Sequence, residues 1–415
     1  MLKKENSHLP FSILKTRPSK TSPGRIVSPL ILAALVFGCL AICLLLTSWG
    51  NWTPPFAVED APEKVIPAEP TNEEIAQPPE PVRTPEQSKK TPSGVVRLSG
   101  TPEEIGRRHG ALLADKIKLM IKEYVTGDYQ WEYEKKELLA KVRTLKPSLP
   151  DWYRKELTAC AKAAGVDEDV LLIAQCEGDI KSLPGCTVFV AFGAATHSGA
   201  MEIGRNFDYW GLESTEECAI VLAVIPRPSD GYAFVSVGWS GILGGWTFIN
   251  EKGLFVANNL GGFTEKNPKG LPTLILERMV AQRAATVAEA IEVIRKNPRM
   301  RGQAMIIGQV GDAKAGIKPD AVEIHYDAKT VRTDRQEGGF AFDSSVGTDP
   351  DRLKEMLLRE DREPMEVIRS AGNSITLHSV AIRPQEHKLW VAHGRPSSAH
   401  KGKYVEYNLQ SLLRR

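Results

Sequence analysis

The residues of this sequence best suited to chemistry are a cysteine and, about twenty residues further on, two charged side chains. Cys186 follows a Pro184-Gly185 turn and opens an apolar run rich in Val and Phe. Arg205 and Asp208 stand at the end of a second run that is typical of a strand. A thiol at the start of one strand, with an Arg and an Asp on a neighbouring strand, predicts a cysteine nucleophile with charged support.

The small residue before the cysteine favours activation of the thiol by an amine on the same residue. If the chain is cut between Gly185 and Cys186, the new α-amine has a reference pKa of about 7.7–8.0, so a useful fraction is neutral near neutral pH. Such an amine takes the thiol proton and returns it to a leaving amine, so no separate His is required. The alternative interpretation is that Cys186 is a small buried hydrophobic residue, as most free cysteines are.

The composition says more about possible partners and cofactors than about the fold. The chain has 415 residues, enough for one large domain or two ordinary ones, and a net charge of +2, which gives no indication of nucleic-acid binding. The six cysteines show no metal-type pairing, and the eight histidines form no H-x-x-x-H pair. We therefore expect no metal, no other cofactor and no disulfide framework.

The first 94 residues predict a tail, a membrane anchor and a linker. Residues 1–25 are polar and basic, whereas residues 26–48 are uncharged and almost wholly apolar. As a helix, this stretch would be roughly 33 Å long, which is enough to cross a bilayer core. The basic flank predicts a single-pass protein whose C-terminal part lies outside the cytoplasm. A cleaved signal peptide and a lipoprotein-type Cys39 are the alternatives.

A proline-rich stretch follows the predicted anchor. Residues 53–94 contain ten prolines mixed with Glu, Lys, Ala and Thr. Such a composition cannot bury enough apolar surface to fold, so residues 49–94 are predicted to be a disordered, extended linker. Use of this stretch as a ligand for a Pro-reading partner is the alternative.

Residues 95–415 predict one α+β domain with layered sheets and helices. Before Cys186 the pattern is mainly helical, with a capped helix start at Thr101 and further helices near 151–164 and 167–176. After Cys186 it changes to short strand-like runs, interrupted by helices near 271–283, 286–296 and 350–358. Nine strands are predicted in this part, at 187–194, 200–207, 219–225, 233–237, 253–258, 303–309, 321–326, 374–383 and 388–392.

Five motifs, taken in order, resemble one known family. They are Leu98-Ser99-Gly100-Thr101-Pro102 with Gly106-x-x-His109-Gly110, Gly185-Cys186-Thr187, Gly204-Arg205-Asn206-Phe207-Asp208-Tyr209, Asn250-Glu251-Lys252-Gly253-Leu254, and Thr376-Leu377-His378-Ser379-Val380 with Leu389-Trp390-Val391-Ala392. In these motifs the chain resembles the acyl-coenzyme A:6-aminopenicillanic acid acyltransferase (isopenicillin N acyltransferase-like) family of N-terminal nucleophile hydrolases. Bile salt hydrolase and acid ceramidase are more distantly similar.

The resemblance implies a four-layer αββα sandwich that cleaves itself before the cysteine and acts on linear amides. A helical segment 95–185 would then become one chain and residues 186–415 the other. By the same resemblance, Cys186 is the nucleophile, Asp208 orients its freed amine and Arg205 supports the site electrostatically. Asn259, or Asn258 one step away, would stabilise the oxyanion. Because strand side chains alternate, we expect one of these two to face the site.

One position departs from the pattern of the family. Relatives carry an Asn where this chain has Asp343, in Phe340-Ala341-Phe342-Asp343-Ser344-Ser345. A carboxylate cannot donate a hydrogen bond unless it is protonated. If that position supports the oxyanion or the cleavage, either function is altered here, with Ser344 as the expected substitute donor.

Three functions follow as hypotheses. The first is a membrane-anchored amide hydrolase or acyltransferase that carries the acyl group of a small-molecule amide on Cys186 as a thioester. The second is a catalytically silent ligand-binding domain of the same fold, which Asp343 favours. The third is an envelope interaction protein whose anchor and linker matter most. Since an exported enzyme would meet little coenzyme A, hydrolysis is expected over acyl transfer.

Overall fold

The computed structural model describes residues 94–127, 131–180, 185–209, 215–261, 264–312, 314–335, 337–394 and 399–415. The predicted tail 1–25, anchor 26–48 and linker up to residue 93 lie outside these described residues. Within them, every helix is too short or too polar to cross a bilayer.

The helices begin where the sequence supplies caps. Thr101 forms a complete capping box, since its side chain accepts from the Glu104 amide while the Glu104 side chain accepts from the Thr101 amide. The described α-helices are α1 (Pro102–Met120), α2 (Trp131–Leu145), α3 (Asp151–Ala164), α4 (Glu168–Ile180), α5 (Thr215–Cys218), α6 (Thr273–Arg283), α7 (Val287–Lys296), α8 (Pro350–Leu357), α9 (Glu366–Ser370) and α10 (Leu409–Leu413). One π-helical turn, Ile121–Thr126, continues α1.

The strands are short, and most are buried along their whole length. They are β1 (Val95–Gly100), β2 (Cys186–Ala191), β3 (Glu202–Asp208), β4 (Ala219–Pro226), β5 (Phe234–Trp239), β6 (Thr247–Asn250), β7 (Leu254–Leu260), β8 (Gln303–Gln309), β9 (Asp320–Tyr326), β10 (Val331–Asp334), β11 (Phe340–Ser344), β12 (Thr376–Arg383), β13 (Lys388–His393) and β14 (Val405–Asn408).

These strands form two sheets. The eight-stranded sheet has the order β1-β4-β5-β6-β7-β8-β9-β10, and the six-stranded sheet has the order β11-β2-β3-β12-β13-β14. The β1–β4 pair is parallel, and the remaining pairs in the described residues are antiparallel. Cys186 therefore starts a central strand of the six-stranded sheet.

Three apolar cores separate four layers. The inner core joins the two sheets through residues such as Val188 and Val380 on one side and Ile306 on the other. The outer face of the eight-stranded sheet packs on helices α1 to α4, α6 and α7. The outer face of the six-stranded sheet packs on α8 and α9, for example through Phe189. The predicted α+β layering is confirmed in the described part of the chain.

Helices α1 and α3 approach each other closely because α1 carries two glycines. A Cβ on Gly106 would lie 2.1 Å from the Glu156 carbonyl oxygen, and one on Gly110 would lie 2.3 Å from the Cys160 carbonyl oxygen. Next to this contact, Glu156 forms a buried ion pair with Arg278 of α6, at 2.9 Å. The helices before Cys186 are thus joined to those after it by packing and by a buried charge pair.

The sequence-based prediction missed several elements. It did not include α2, nor the strands β1, β6, β10, β11 and β14. Three of these strands have only four residues, and β1, β10, β11 and β14 lie at sheet edges. Short edge strands carry little periodicity of their own, because their pairing with a distant strand stabilises them.

Candidate active site

The backbone of Cys186 is held by two neighbouring strands. Its N–H donates to Ser345 Oγ at 2.8 Å. Its carbonyl oxygen accepts from the Ser345 amide at 3.0 Å and from Asn259 Nδ2 at 3.2 Å. The N–H and the carbonyl oxygen of Cys186 are therefore both held by hydrogen bonds before any cleavage takes place.

The thiol of Cys186 is buried and flanked by opposite charges. Burial raises its pKa, and the carboxyl of Asp208 acts in the same direction. The guanidinium of Arg205 and the backbone amide of Asp208 oppose this rise. In the uncut chain burial prevails, so this thiol is protonated near neutral pH.

Arg205 lies fully inside the protein. Its guanidinium donates to the Asn206 carbonyl at 3.0 Å and to Asn258 Oδ1 at 3.3 Å, and it packs over the Phe207 ring. Its Nε has no hydrogen-bond partner. The sequence allows an ion pair between Arg205 and Asp208, but these two described residues form none. Arg205 therefore acts on Asp208 through its charge alone.

Asp208 is also fully buried, and two side chains from the β12 region hold its carboxyl. Thr376 Oγ1 donates to one oxygen at 2.6 Å, and Asn373 Nδ2 donates to the other at 2.8 Å. Burial raises the pKa of Asp208, while these two donors and Arg205 oppose the rise. A shift of register between Thr376 and His378 places Thr376 opposite Asp208. Thr376 opens a motif noted in the sequence, but neither donor was expected.

Both asparagines at the end of β7 reach the cluster, although we expected one. Asn259 lies on the inner face, with Phe255 and Ala257, and contacts Cys186. Asn258 lies on the other face, with Val256, and accepts from Arg205. The alternation of the strand is intact; the length of Arg205 brings the second asparagine into contact.

The segment after β11 supplies a hydroxyl that the sequence did not point to. Ser345, and not Ser344, contacts Cys186, and its Oγ also donates to Asn259 Oδ1 at 2.7 Å. Ser344 Oγ instead lies 3.0 Å from Thr187 Oγ1. Alternation turns Ser344 toward Thr187 and away from Cys186, and its role as substitute donor stays a prediction.

Asp343 lies on β11, two residues before Ser345, which contacts Cys186, and the pKa of its carboxyl is raised. Burial and the neighbouring Glu323 raise its pKa to about 6, against the opposing influence of His325, Arg205 and Asn259. Its Oδ2 is buried without a hydrogen-bond partner. Near pH 6 the acid at this position is therefore available as a hydrogen-bond donor.

Gly185 is required by space. A Cβ at this position would lie 2.5 Å from Ser345 Oγ and 2.6 Å from Val346 Cγ1. Real Cβ atoms do not approach other atoms so closely, so a larger residue would displace the Ser345 hydroxyl that accepts from the Cys186 N–H.

An aromatic cluster lies beside the nucleophile. Phe207, which pairs in register with Cys186, has its ring 4.7 Å from Trp246 and 6.2 Å from Tyr209. Trp239 packs between them, with Tyr124 of the π-helical turn 5.1 Å away. Tyr124, Phe207, Trp239 and Trp246 are buried and pack in the same core as Cys186, so the thiol has apolar surroundings.

Comparison with known proteins identifies a sequence family for part of the chain. The model of the acyl-coenzyme A:6-aminopenicillanic acid acyl-transferase family matches residues 195–333. This range includes Arg205, Asp208, Asn258 and Asn259; it begins after Cys186 and ends before Asp343. An uncharacterised protein of Archaeoglobus fulgidus is 26% identical, over 57% of this chain and 44% of its own length. The chain thus spans less than half the length of this relative.

Three solved structures are similar at low identity. An N-acylethanolamine-hydrolyzing acid amidase ortholog of Caenorhabditis elegans has 18% identity and a TM-score of 0.38, over 48% of this chain and 93% of that one. A conjugated bile acid hydrolase variant of Clostridium perfringens has 10% identity and a TM-score of 0.37, over 54% of this chain and 93% of that one. Penicillin V acylase of Agrobacterium tumefaciens has 14% identity and a TM-score of 0.35, over 55% of this chain and 88% of that one.

The family match and the motifs agree on the same part of the chain. The motif around Arg205 and Asp208 and the motif that leads into β7 both lie within the matched residues. The resemblance predicted from the motifs is therefore confirmed: over residues 195–333 this chain is similar to the acyl-coenzyme A:6-aminopenicillanic acid acyl-transferase family.

Proposed function

We propose that this protein is an amide hydrolase or acyltransferase whose nucleophile is Cys186, freed by self-cleavage between Gly185 and Cys186. The observation that carries the proposal is the setting of Cys186. Its backbone is held by Ser345 and Asn259, and its thiol lies between Arg205 and Asp208. A cysteine with a merely structural role would have no need of these buried charges, which are costly to place.

Self-cleavage would begin with attack of the Cys186 sulfur on the Gly185 carbonyl carbon. The C–N bond then breaks, and the amine leaves with a proton that the thiol supplied. Ser345 Oγ, hydrogen-bonded to that nitrogen, is placed to relay the proton. Water hydrolyses the resulting thioester, leaving a carboxylate on Gly185 and a free amine and thiol on Cys186.

Turnover would use the same atoms. The freed amine takes the thiol proton, the sulfur attacks a linear amide, and a tetrahedral oxyanion forms. Asn259 Nδ2, which donates to the Cys186 carbonyl at 3.2 Å in the uncut chain, would donate to this oxyanion, and such a donor contributes about 3–4 kcal/mol. The proton passes to the departing amine, and the acyl group stays on Cys186 as a thioester until water or another amine accepts it. Asp208, held by Thr376 and Asn373, orients the amine.

The substrate class follows from the surroundings of the thiol. The aromatic cluster of Tyr124, Phe207, Tyr209, Trp239 and Trp246 favours an apolar acyl group on a linear amide. The C. elegans protein is named as an acid amidase that hydrolyses N-acylethanolamines. Hydrolysis is preferred over transfer, because an exported enzyme would meet little coenzyme A.

The proposed location rests on the sequence alone. Residues 26–48 would anchor the protein in a membrane, and residues 49–94 would carry the domain away from it on the outer side. Membrane fractionation and protease protection of intact cells test this placement. Recovery of the full chain in the soluble fraction, or protection of the domain together with cytoplasmic markers, would contradict it.

A silent ligand-binding domain is the second candidate. It is favoured by Asp343, which replaces an amide donor with an acid, and by the raised pKa of the Cys186 thiol in the uncut chain. Acylation distinguishes the two functions. We expect a p-nitrophenyl ester of an apolar acid to acylate Cys186, detected by peptide mass, and the same chain with Cys176→Ala to react equally. Binding of the ester without acylation would favour the silent domain.

A further inference from the structure

The layer between the two sheets is apolar along most of its length but carries polar side chains at the end next to Cys186. On the six-stranded sheet, Asp343 pairs with Val188, and Val188 pairs with Arg205. Residues that pair in register point to the same face of a sheet. Since Val188 belongs to the inner core, Asp343 and Arg205 both face the eight-stranded sheet.

A second polar row faces this one. On the eight-stranded sheet, Asn259 pairs with Ala304, and Ala304 pairs with His325. Glu323, two residues before His325, pairs with Ile306 of the inner core. Asn259, His325 and Glu323 therefore share the inner face, with only the methyl group of Ala304 interposed between Asn259 and His325.

The two rows interact. Strand β9 packs against β11, and His325 Nε2 lies 2.5 Å from Glu323 Oε1. Both residues act electrostatically on Asp343, together with Arg205 and the Asn259 amide. The His325 side chain is one-third exposed, whereas Cys186 is buried. The polar row thus extends from solvent to the nucleophile.

We propose that Asp343 is a positioning residue for Asn259 and Cys186, and that Glu323 and His325 set its protonation state from the solvent side. This inference rests on the proposed function, because it takes Cys186 to be the reactive group. Neutral Asp343 can donate a hydrogen bond to its neighbours in the cluster. Ionised Asp343 can only accept, and it adds a negative charge that opposes formation of the thiolate.

The direction of the pH effect follows from the charges. Asp343 is neutral below about pH 6 and ionised above it. Glu323 raises this midpoint and is its stronger charged neighbour, while His325 and Arg205 lower it. Arg332, which pairs with His325 from the adjacent strand β10, lowers the pKa of His325. Above pH 6, the Cys186 thiol should therefore be alkylated more slowly than the pKa of the thiol alone would predict.

The test is the rate of alkylation of Cys186 by iodoacetamide as a function of pH, followed by peptide mass in the purified full chain. Wild type should show a second inflection near pH 6 besides that of the thiol. Asp343→Asn should remove it and raise the rate at pH 8 by about three- to tenfold. Glu323→Gln should move the inflection to lower pH, and His325→Gln should move it to higher pH. The control Glu292→Gln, an exposed acid on α7 outside both sheets, should leave it in place.

Opposite shifts from removal of an acid and removal of a base on the same strand are a signature that simple loss of structure does not produce. A wild-type profile with a single inflection overturns the proposal without any variant. So does an inflection that survives Asp343→Asn, or shifts of the same sign from Glu323→Gln and His325→Gln. Alkylation needs neither substrate nor self-cleavage. A protein that fails as an amidase can therefore still support this inference, and an active amidase can refute it.

Discussion

Replacement of Ser345 by Ala tests most sharply how the nucleophile is held. Ser345 Oγ accepts from the Cys186 N–H at 2.8 Å and donates to Asn259 Oδ1 at 2.7 Å. Alanine removes both hydrogen bonds and leaves a buried N–H without that acceptor. At about 1 kcal/mol per net hydrogen bond, the loss is about 2 kcal/mol. Bonds that are equally strong in the uncut chain and in the transition state leave the barrier unchanged. Because Ser345 Oγ is proposed to relay the proton to the leaving nitrogen, we expect the loss to fall on the transition state, where about 2 kcal/mol slows cleavage roughly 30-fold.

The assay is a time course of intact mass on freshly purified protein, which reports cleavage between Gly185 and Cys186 directly. Ser344→Ala is the matched control, because this neighbouring hydroxyl bonds to Thr187 and to the amides of Val346 and Thr348, and makes no hydrogen bond to Cys186. We expect the control to cleave at the wild-type rate. Cleavage of Ser345→Ala at a rate within about threefold of wild type, or equal slowing in the control, would refute the reasoning.

Three further predictions concern the scissile residue, the helical segment and the oxyanion donor. Gly185→Ala should stop cleavage, since its Cβ would lie 2.5 Å from Ser345 Oγ; intact mass is the readout. Glu156→Ala should lower the free energy of unfolding in urea by about 3–5 kcal/mol, because it leaves Arg278 buried without its ion-pair partner. Asn259→Asp removes the Nδ2 donor and should lower kcat by about 10²–10³-fold, measured with the acyl ester.

Matched controls keep these outcomes interpretable. Glu292→Ala breaks an exposed ion pair on α7 and should change stability by less than about 1 kcal/mol. Asn297→Asp removes an amide donor that bonds to the Val293 carbonyl, outside the site, and should leave kcat unchanged. Wild-type cleavage by Gly185→Ala, equal stability losses for the two glutamates, or equal kcat for both amide variants would each contradict the corresponding argument.

The strands that frame the site could be predicted because their periodicity and turns are local. The predicted strand at Gln303–Gln309 is correct at both ends, and those around Arg205 and Asn259 differ by one or two residues. Thr101 and Pro350 mark helix starts that the structure shows. In these segments burial and local propensity favour the same secondary structure, so tertiary packing did not override the prediction.

The remaining parts of the site depend on pairing between distant residues. Strand β11 brings Ser345 to Cys186 across 159 positions of sequence, and no local pattern specifies that register. Thr376 reaches Asp208 through an irregularity between β3 and β12. His325 and Glu323 join the site only because β9 packs against β11. Roles assigned from the motif, such as that of Asn259, remain predictions.

The central claim is that Cys186 becomes an N-terminal nucleophile, and intact mass tests it most directly. The purified full chain and its Cys186→Ala variant should be compared under the same conditions. We expect two fragments that separate between Gly185 and Cys186 in wild type, remaining associated through the buried Glu156–Arg278 pair, and one uncut chain in the variant. One uncut chain in both would contradict the claim, because Cys186 would then have no free amine to act as its base.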